Sequence, residues 1–106
     1  MAAVVLTKVK IYSTLWSKVK GVIGESEPKG FGEGVALPGV NSIHTFFVSF
    51  PIDLVFLDKG NRITRLVDGL KPWRVSPLVF QAKTTLELKT GSIKHLGLKL
   101  GDQVKY

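Results

Sequence analysis

The chain contains no cysteine, a single methionine, and only two residues each of asparagine and glutamine among its 106. Without cysteine there is no disulfide, no thiolate metal site and no thiol redox chemistry. Scarcity of the thermally labile residue types is a trait of heat-adapted proteins. Long apolar runs are also missing. A membrane-spanning helix needs roughly 18 or more successive apolar residues, whereas runs such as Phe46-Phe47-Val48 and Leu54 to Leu57 are far shorter. Lys8 and Lys10 cut off the apolar start Met1 to Leu6 before a secretory leader could form. The expected compartment is the cytoplasm of a prokaryote, with no membrane span. Acidic residues are lacking from the first 24 positions, where Lys8, Lys10, Lys18 and Lys20 fall.

What is present is an ample core and an excess of positive charge. A hydrophobic fraction of 44% and a mean hydropathy of +0.20 suffice for a packed interior. The length suits one domain spanning residues 1–106. Fifteen basic against eight acidic residues give a net charge of +7. Such a field attracts polyanions without sequence preference, yet twelve of the fifteen are lysines scattered along the chain, as on an ordinary solvated surface.

The hydrophobic period is mostly that of strands. Ala3 to Ile11 alternates, with Val5, Val9 and Ile11 on one side and Lys8 and Lys10 on the other. Ser13 can cap a short helix carrying Leu15, Trp16, Val19 and Ile23 at helical spacing, stopped by Gly24. Residues 25–34 form a Gly- and Pro-rich loop without a phosphate-binding pattern, and Val35 to Leu37 a brief strand ended by Pro38-Gly39. In Ser42 to Phe50, His44, Phe46, Val48 and Phe50 share a strand face. After Pro51, Ile52 to Leu57 is apolar on both faces except at Asp53, the pattern of a covered central strand. Lys59-Gly60-Asn61 turns the chain into Arg62 to Asp68, making a hairpin. Gly69 to Lys83 is a long connection with two prolines. Thr84 to Thr90 is a strand with Leu86 and Leu88 inside and Glu87 and Lys89 outside. Ser92 to Leu96 is a helical turn closed by Gly97, and Gly101-Asp102 leads into a last strand. The expected fold is α+β and mainly β: a curved antiparallel sheet forming a small barrel or sandwich, with two short peripheral helices.

The segments SIHTFFVSFPIDLVFLDKGNRI, LKPWRVSP and LELKTGSIKHLGLKLGDQV, with WSKVKGVIG and GEGVALPG before them, together resemble the prokaryotic family known as domain of unknown function 192. The resemblance covers nearly the whole chain. It implies a compact α+β domain round a strongly curved antiparallel sheet, found alone or behind an export signal, and it implies no reaction. Many relatives carry a cysteine just before the equivalent of Ser42; this chain departs from them at Gly39 and Val40 and has no cysteine, which argues against any thiol-dependent role. The closing pattern of Gly91, Gly97-Leu98, Gly101-Asp102 and Val104 is read as structural, its glycines serving turns and Asp102 accepting backbone amides.

Four residues stand out as candidates. Asp53 is a carboxylate in an apolar strand and needs a partner: an ion pair or backbone amides on one reading, a general-base or ligand-anchoring role on the other. His44, on an apolar strand face, is a satisfied core group or one half of an acid–base pair with Asp53. Trp73 and Arg74, after Lys71-Pro72, form an exposed aromatic and cationic pair suited to an anionic ligand or a partner protein. Alternatively, Trp73 plugs one end of the barrel while Arg74 pairs with Asp53 or Asp68. His95 is expected to be solvated, and with two imidazoles and no thiol no metal site or cofactor is expected. Ser42, Thr45, Ser49 and Ser76 supply hydroxyls near His44, but no nucleophile-elbow motif accompanies them.

The residues therefore favour a non-enzymatic binding module for a small anionic ligand or a partner protein at a site made by His44, Asp53, Trp73 and Arg74, in a monomer or weak homodimer. A small enzyme using His44 and Asp53, and a polyanion or nucleic-acid binder using the basic N-terminal region, are the alternatives.

Overall fold

The computed structural model describes residues 3–12, 27–45 and 49–106. Among them the chain forms seven strands and one short helix: β1 (Val4–Val5), β2 (Val9–Ile11), β3 (Gly34–Pro38), β4 (Ile52–Leu57), β5 (Ile63–Leu70), β6 (Thr84–Lys89), α1 (Ser92–Leu96) and β7 (Val104–Lys105). The helix expected after Ser13 lies outside the described residues, as does the middle of the expected Ser42–Phe50 strand.

Five strands make one sheet in the order β2-β3-β6-β4-β5, and β1 pairs with β7 in a second. The protein is mainly β, as expected, but the described strands do not close into a barrel. Nor is the pairing purely antiparallel: β1–β7 and β2–β3 run parallel, while β3–β6, β6–β4 and β4–β5 are antiparallel. Parallel neighbours require a long connection instead of a tight turn. Residues 12–33 supply it between β2 and β3, and β1 and β7 come from opposite ends of the described chain.

The N-terminal run corrects a second expectation. Val5 is 63% exposed and Ile11 57%, whereas Leu6 is buried in the core. A continuous strand would have put Val5 inside. Instead the chain bends at Thr7-Lys8 as it passes from the β7 pairing to the β3 pairing. The bend breaks the two-residue period, so Leu6 and Val9 pack into one cluster.

β4 and β6 sit at the centre of the larger sheet, each flanked on both edges. Every residue of β4 is buried, and full burial of a leucine or phenylalanine side chain contributes roughly 1.5–3 kcal/mol. Alternation sorts the core into two layers. Ala36, Val55, Leu57, Leu86 and Leu88 face one way and pack with Leu6, Ile93, Leu98 and Val104. Val35, Leu37, Ile52, Leu54 and Phe56 face the other way and pack with Ile43, Val79 and Ala82. Glu87, expected outside, is buried too. It alternates with Leu86 and Leu88 and lies between Val35 and Leu54 in the pairing register. Its strand is central, and a central strand has no outer face unless the sheet is bare on one side.

Gly34 allows β3 to reach β6: a Cβ there would fall onto the backbone carbonyl of Glu87. Gly97, the C-cap of α1 at φ 63°, has open space where its Cβ would be. Gly34→Ala is expected to cost about 3 kcal/mol by forcing the two strands apart, and Gly97→Ala about 1 kcal/mol from backbone conformation alone. Urea denaturation of the two variants measures the difference; equal losses would contradict the close approach.

Candidate functional site

Asp53 follows from the local geometry of two strands. Ile52 pairs with Leu70, but the next register pair is Leu54 with Val67, so two residues of β5, Asp68 and Gly69, stand opposite Asp53. This is a bulge, with Gly69 in the left-handed region at φ 66°. A bulge leaves a backbone amide outside the ladder, and the Gly69 N–H donates to Asp53 Oδ1 at 2.8 Å. The second carboxylate oxygen accepts the N–H of Ile93 at 2.9 Å. Ile93 is in the first turn of α1, whose N-cap, Gly91, has no side chain to offer. The carboxylate of β4 thus caps a helix 40 residues away. Asp53 is fully buried, and these two bonds answer its need for a partner from backbone amides.

His44, Trp73 and Arg74 come together elsewhere. His44 forms an isolated antiparallel bridge with Val75, and it is exposed instead of lying on an apolar face. The segment 41–45 clamps the long connection through backbone bonds from Thr45 N–H to Arg74 O, Trp73 N–H to Thr45 O, Ser76 N–H to Ile43 O and Val79 N–H to Asn41 O. Two hydroxyls complete the clamp. Buried Thr45 donates from Oγ1 to the Lys71 carbonyl at 2.6 Å and accepts the Arg74 N–H at 2.8 Å. Ser76 Oγ accepts the Ile43 N–H at 2.8 Å.

The clamp holds Trp73 at φ 62°, a left-handed conformation rare for a bulky residue. Its side chain is 55% exposed, so it does not plug the core. Arg74 is exposed and its guanidinium donates to the Trp73 carbonyl at 3.4 Å, not to Asp53 or Asp68. Along the same connection Ser76, Val79 and Ala82 are buried at intervals of three, while Val75 (61%), Leu78 (54%) and Phe80 (78%) stand out into solvent. The structure therefore brings three of the four candidates to one exposed end and leaves Asp53 in the core.

Thr45 escaped notice as an organising residue, because a hydroxyl beside a histidine looks like a fragment of a catalytic set. The exposed Leu78 and Phe80 were also missed; an apolar residue in a proline-bearing connection gives no sign of its direction. At a separate place, His95 stacks on Phe31, with ring centroids 4.2 Å apart and planes 18° apart. Lys89 Nζ lies 5.9 Å from the Phe31 ring centre. The ring borders a shallow groove of about 280 Å³ lined also by Leu6, Lys8, Glu33 and Leu96. Among the described residues no group of three or more His, Asp or Glu is placed to hold a metal. No helix there is long and apolar enough to cross a membrane.

Residues 3–106 match the DUF192 family model, described as an uncharacterized ACR. The chain belongs to this family. It is similar to a UPF0127 protein of Thermococcus sibiricus, 34% identical over 65 residues that make up 61% of this chain and 42% of that protein. It is also similar to a UPF0127 protein of Pyrococcus horikoshii, 35% identical over 65 residues, 61% of this chain and 56% of that one. The matched stretch spans about half the length of these relatives. Its fold is similar to the crystal structure of a protein of unknown function from Novosphingobium aromaticivorans, with a TM-score of 0.79 and 22% identity, covering 92% of this chain and 74% of that one.

Asp53→Asn keeps one acceptor but sets an amide group against the other backbone N–H. Chemical denaturation is expected to show a loss of about 2 kcal/mol or more. Thr45→Val, which keeps shape and removes both hydroxyl bonds, is expected to speed amide exchange at Arg74 with a smaller global loss, about 1 kcal/mol. A neutral Asp53→Asn would mean that the carboxylate is not needed where it sits.

Proposed function

We propose that this DUF192 member is a non-enzymatic binding module that docks a partner protein on the exposed end carrying His44, Trp73 and Arg74. The observation that carries this reading is Trp73 itself: a large aromatic held in a strained backbone conformation by a dedicated clamp, with most of its side chain in solvent. A left-handed non-glycine residue costs of order 1–3 kcal/mol and persists where the surroundings fix it, often because the strained position serves a ligand. Tryptophan and arginine are the residue types that most often anchor protein interfaces. Val75, Leu78 and Phe80 extend the exposed apolar surface along the connection well beyond what a small ion would cover.

The geometry supports an acid–base enzyme less well. Such a mechanism asks His44 and Asp53 to share a proton within hydrogen-bond reach, or through one water, in an open cleft. Asp53 is instead fully buried, with its oxygens on Gly69 and Ile93.

Trp73→Gly tests the assignment, since glycine adopts the left-handed conformation freely and removes the aromatic surface. Its melting temperature is expected to match or exceed that of the parent. Amide-shift mapping with a random peptide library, a poly(dT) oligonucleotide and inorganic phosphate is expected to place peptide-induced shifts at residues 73–80, and the glycine variant is expected to lose them. The reading fails if Trp73→Gly unfolds the protein, if peptide shifts survive it, or if only the oligonucleotide or phosphate perturbs the spectrum.

A further inference from the structure

The hydrogen-bond pattern round His44 and Val75 fixes which way their backbones point. The bonds Thr45 N–H to Arg74 O and Ser76 N–H to Ile43 O flank the His44–Val75 bridge on its two sides. That arrangement defines a non-hydrogen-bonded pair of an antiparallel ladder, in which neither residue bonds the other. The N–H and C=O of Val75 therefore point away from the 41–45 segment, and no backbone bond among the described residues takes them. Among the described residues this is an open sheet edge, one residue long. Trp73 N–H is already bonded to Thr45 O. Pro77 has no N–H to give, and its carbonyl accepts from Ser76 Oγ at 3.1 Å.

The chain on either side of this edge, between Asp68 and Glu87, carries charge of one sign. From Gly69 to Leu86 the chain carries Lys71, Arg74 and Lys83 and no acidic residue. A second copy of the chain would bring these cations against their own kind in a molecule of net charge +7. An acidic segment meets them with opposite charge.

We propose that the partner presents an acidic, apolar-bearing segment that docks in extended form beside Val75. It adds one closely spaced hydrogen-bonded pair to the Val75 N–H and C=O. Its carboxylates lie among Lys71, Arg74 and Lys83, and its apolar side chains lie against Trp73, Leu78 and Phe80. This rests on the docking reading above and specifies its partner chemistry. Strand addition takes affinity from backbone hydrogen bonds and specificity from side chains on alternate faces. Because the Trp73 bond to Thr45 on one side and Pro77 on the other confine the addition to one pair, most of the selectivity falls to charge and to the aromatic surface.

Three synthetic probes test it: acetyl-Glu-Val-Glu-Val-Glu-amide, the same peptide with lysine for glutamate, and the first peptide N-methylated at its central residues. Titrated into the intact chain, the glutamate peptide is expected to shift the Val75 amide and slow its hydrogen exchange. Both the lysine and the N-methylated peptides are expected to bind about tenfold more weakly or worse, the scale of one or two lost hydrogen bonds or charge contacts. Shifts at Trp73 and Phe80 with equal affinity for the parent and N-methylated peptides, and with Val75 exchanging as in the free protein, would overturn strand addition and leave the docking site standing. Equal affinity for the lysine peptide would overturn the acidic partner. No shift anywhere in residues 71–83 from any of the three would overturn the proposal as a whole. A concentration-dependent dimer in sedimentation that Trp73→Gly abolishes would overturn it in favour of a second copy.

Discussion

The fold depends on one buried carboxylate. Asp53 takes the amide that the β5 bulge leaves outside the ladder and the amide that the first turn of α1 leaves outside the helix. Each amide would be orphaned without it, and an orphaned buried amide costs about as much as the hydrogen bond it lacks. The bulge and the helix N-terminus are therefore linked: neither is stable in its place unless the acid stands between them. Ser92, where a local cap might have been sought, is occupied otherwise, its hydroxyl accepting the Gly32 N–H at 2.8 Å. Through that bond the helix is also tied to the loop before β3, and Phe31 of the loop stacks on His95 of the helix. A single charge on the central strand thus reaches two elements directly and a third at one remove.

A different set of polar residues governs the other end. Thr45 and Ser76 each use a side-chain oxygen where a regular strand would use a backbone group, so the 71–83 connection is held to segment 41–45 with only one true bridge. Its inward residues, Val79 and Ala82, anchor it to the second core layer. Everything between the anchors is free to face water. The contrast with Asp53 is informative: at the core the polar groups are spent on satisfying backbone, and at the connection they are spent on fixing a tryptophan in a conformation the chain does not favour.

Legibility of the sequence followed the range of the forces involved. The β4–β5 hairpin, the β3 strand and the helix stopped by Gly97 were readable because alternation, turn residues and a left-handed glycine are local signals. The family was readable in the same segments. Sheet order was not, since the parallel β1–β7 and β2–β3 pairings join segments remote from one another and leave no local mark. Glu87 read as an outside residue for the same reason: whether a strand is central depends on neighbours named elsewhere in the chain. Leu6 and Val5 exchanged sides because a bend at Thr7-Lys8 resets the period. Of the four candidate residues, the oddity of Asp53 was plain, but only the position of Gly69 and Ile93 explains it.

That division gives a physical criterion for separating the two kinds of unusual residue. A buried charge with both oxygens bonded to backbone is complete; any ligand would have to displace bonds on which the bulge and the helix depend. An exposed aromatic in a strained conformation is the opposite case, because its backbone carries a strain that glycine at that position would relieve. Domains of this size are stable by only about 5–15 kcal/mol, so a standing cost of one or two at Trp73 is a substantial fraction of the whole, and on the docking proposal it serves a partner. Lys71, Arg74 and Lys83, with a Val75 backbone pair that no bond among the described residues takes, define the surface that proposal asks for: extended, acidic and apolar by turns.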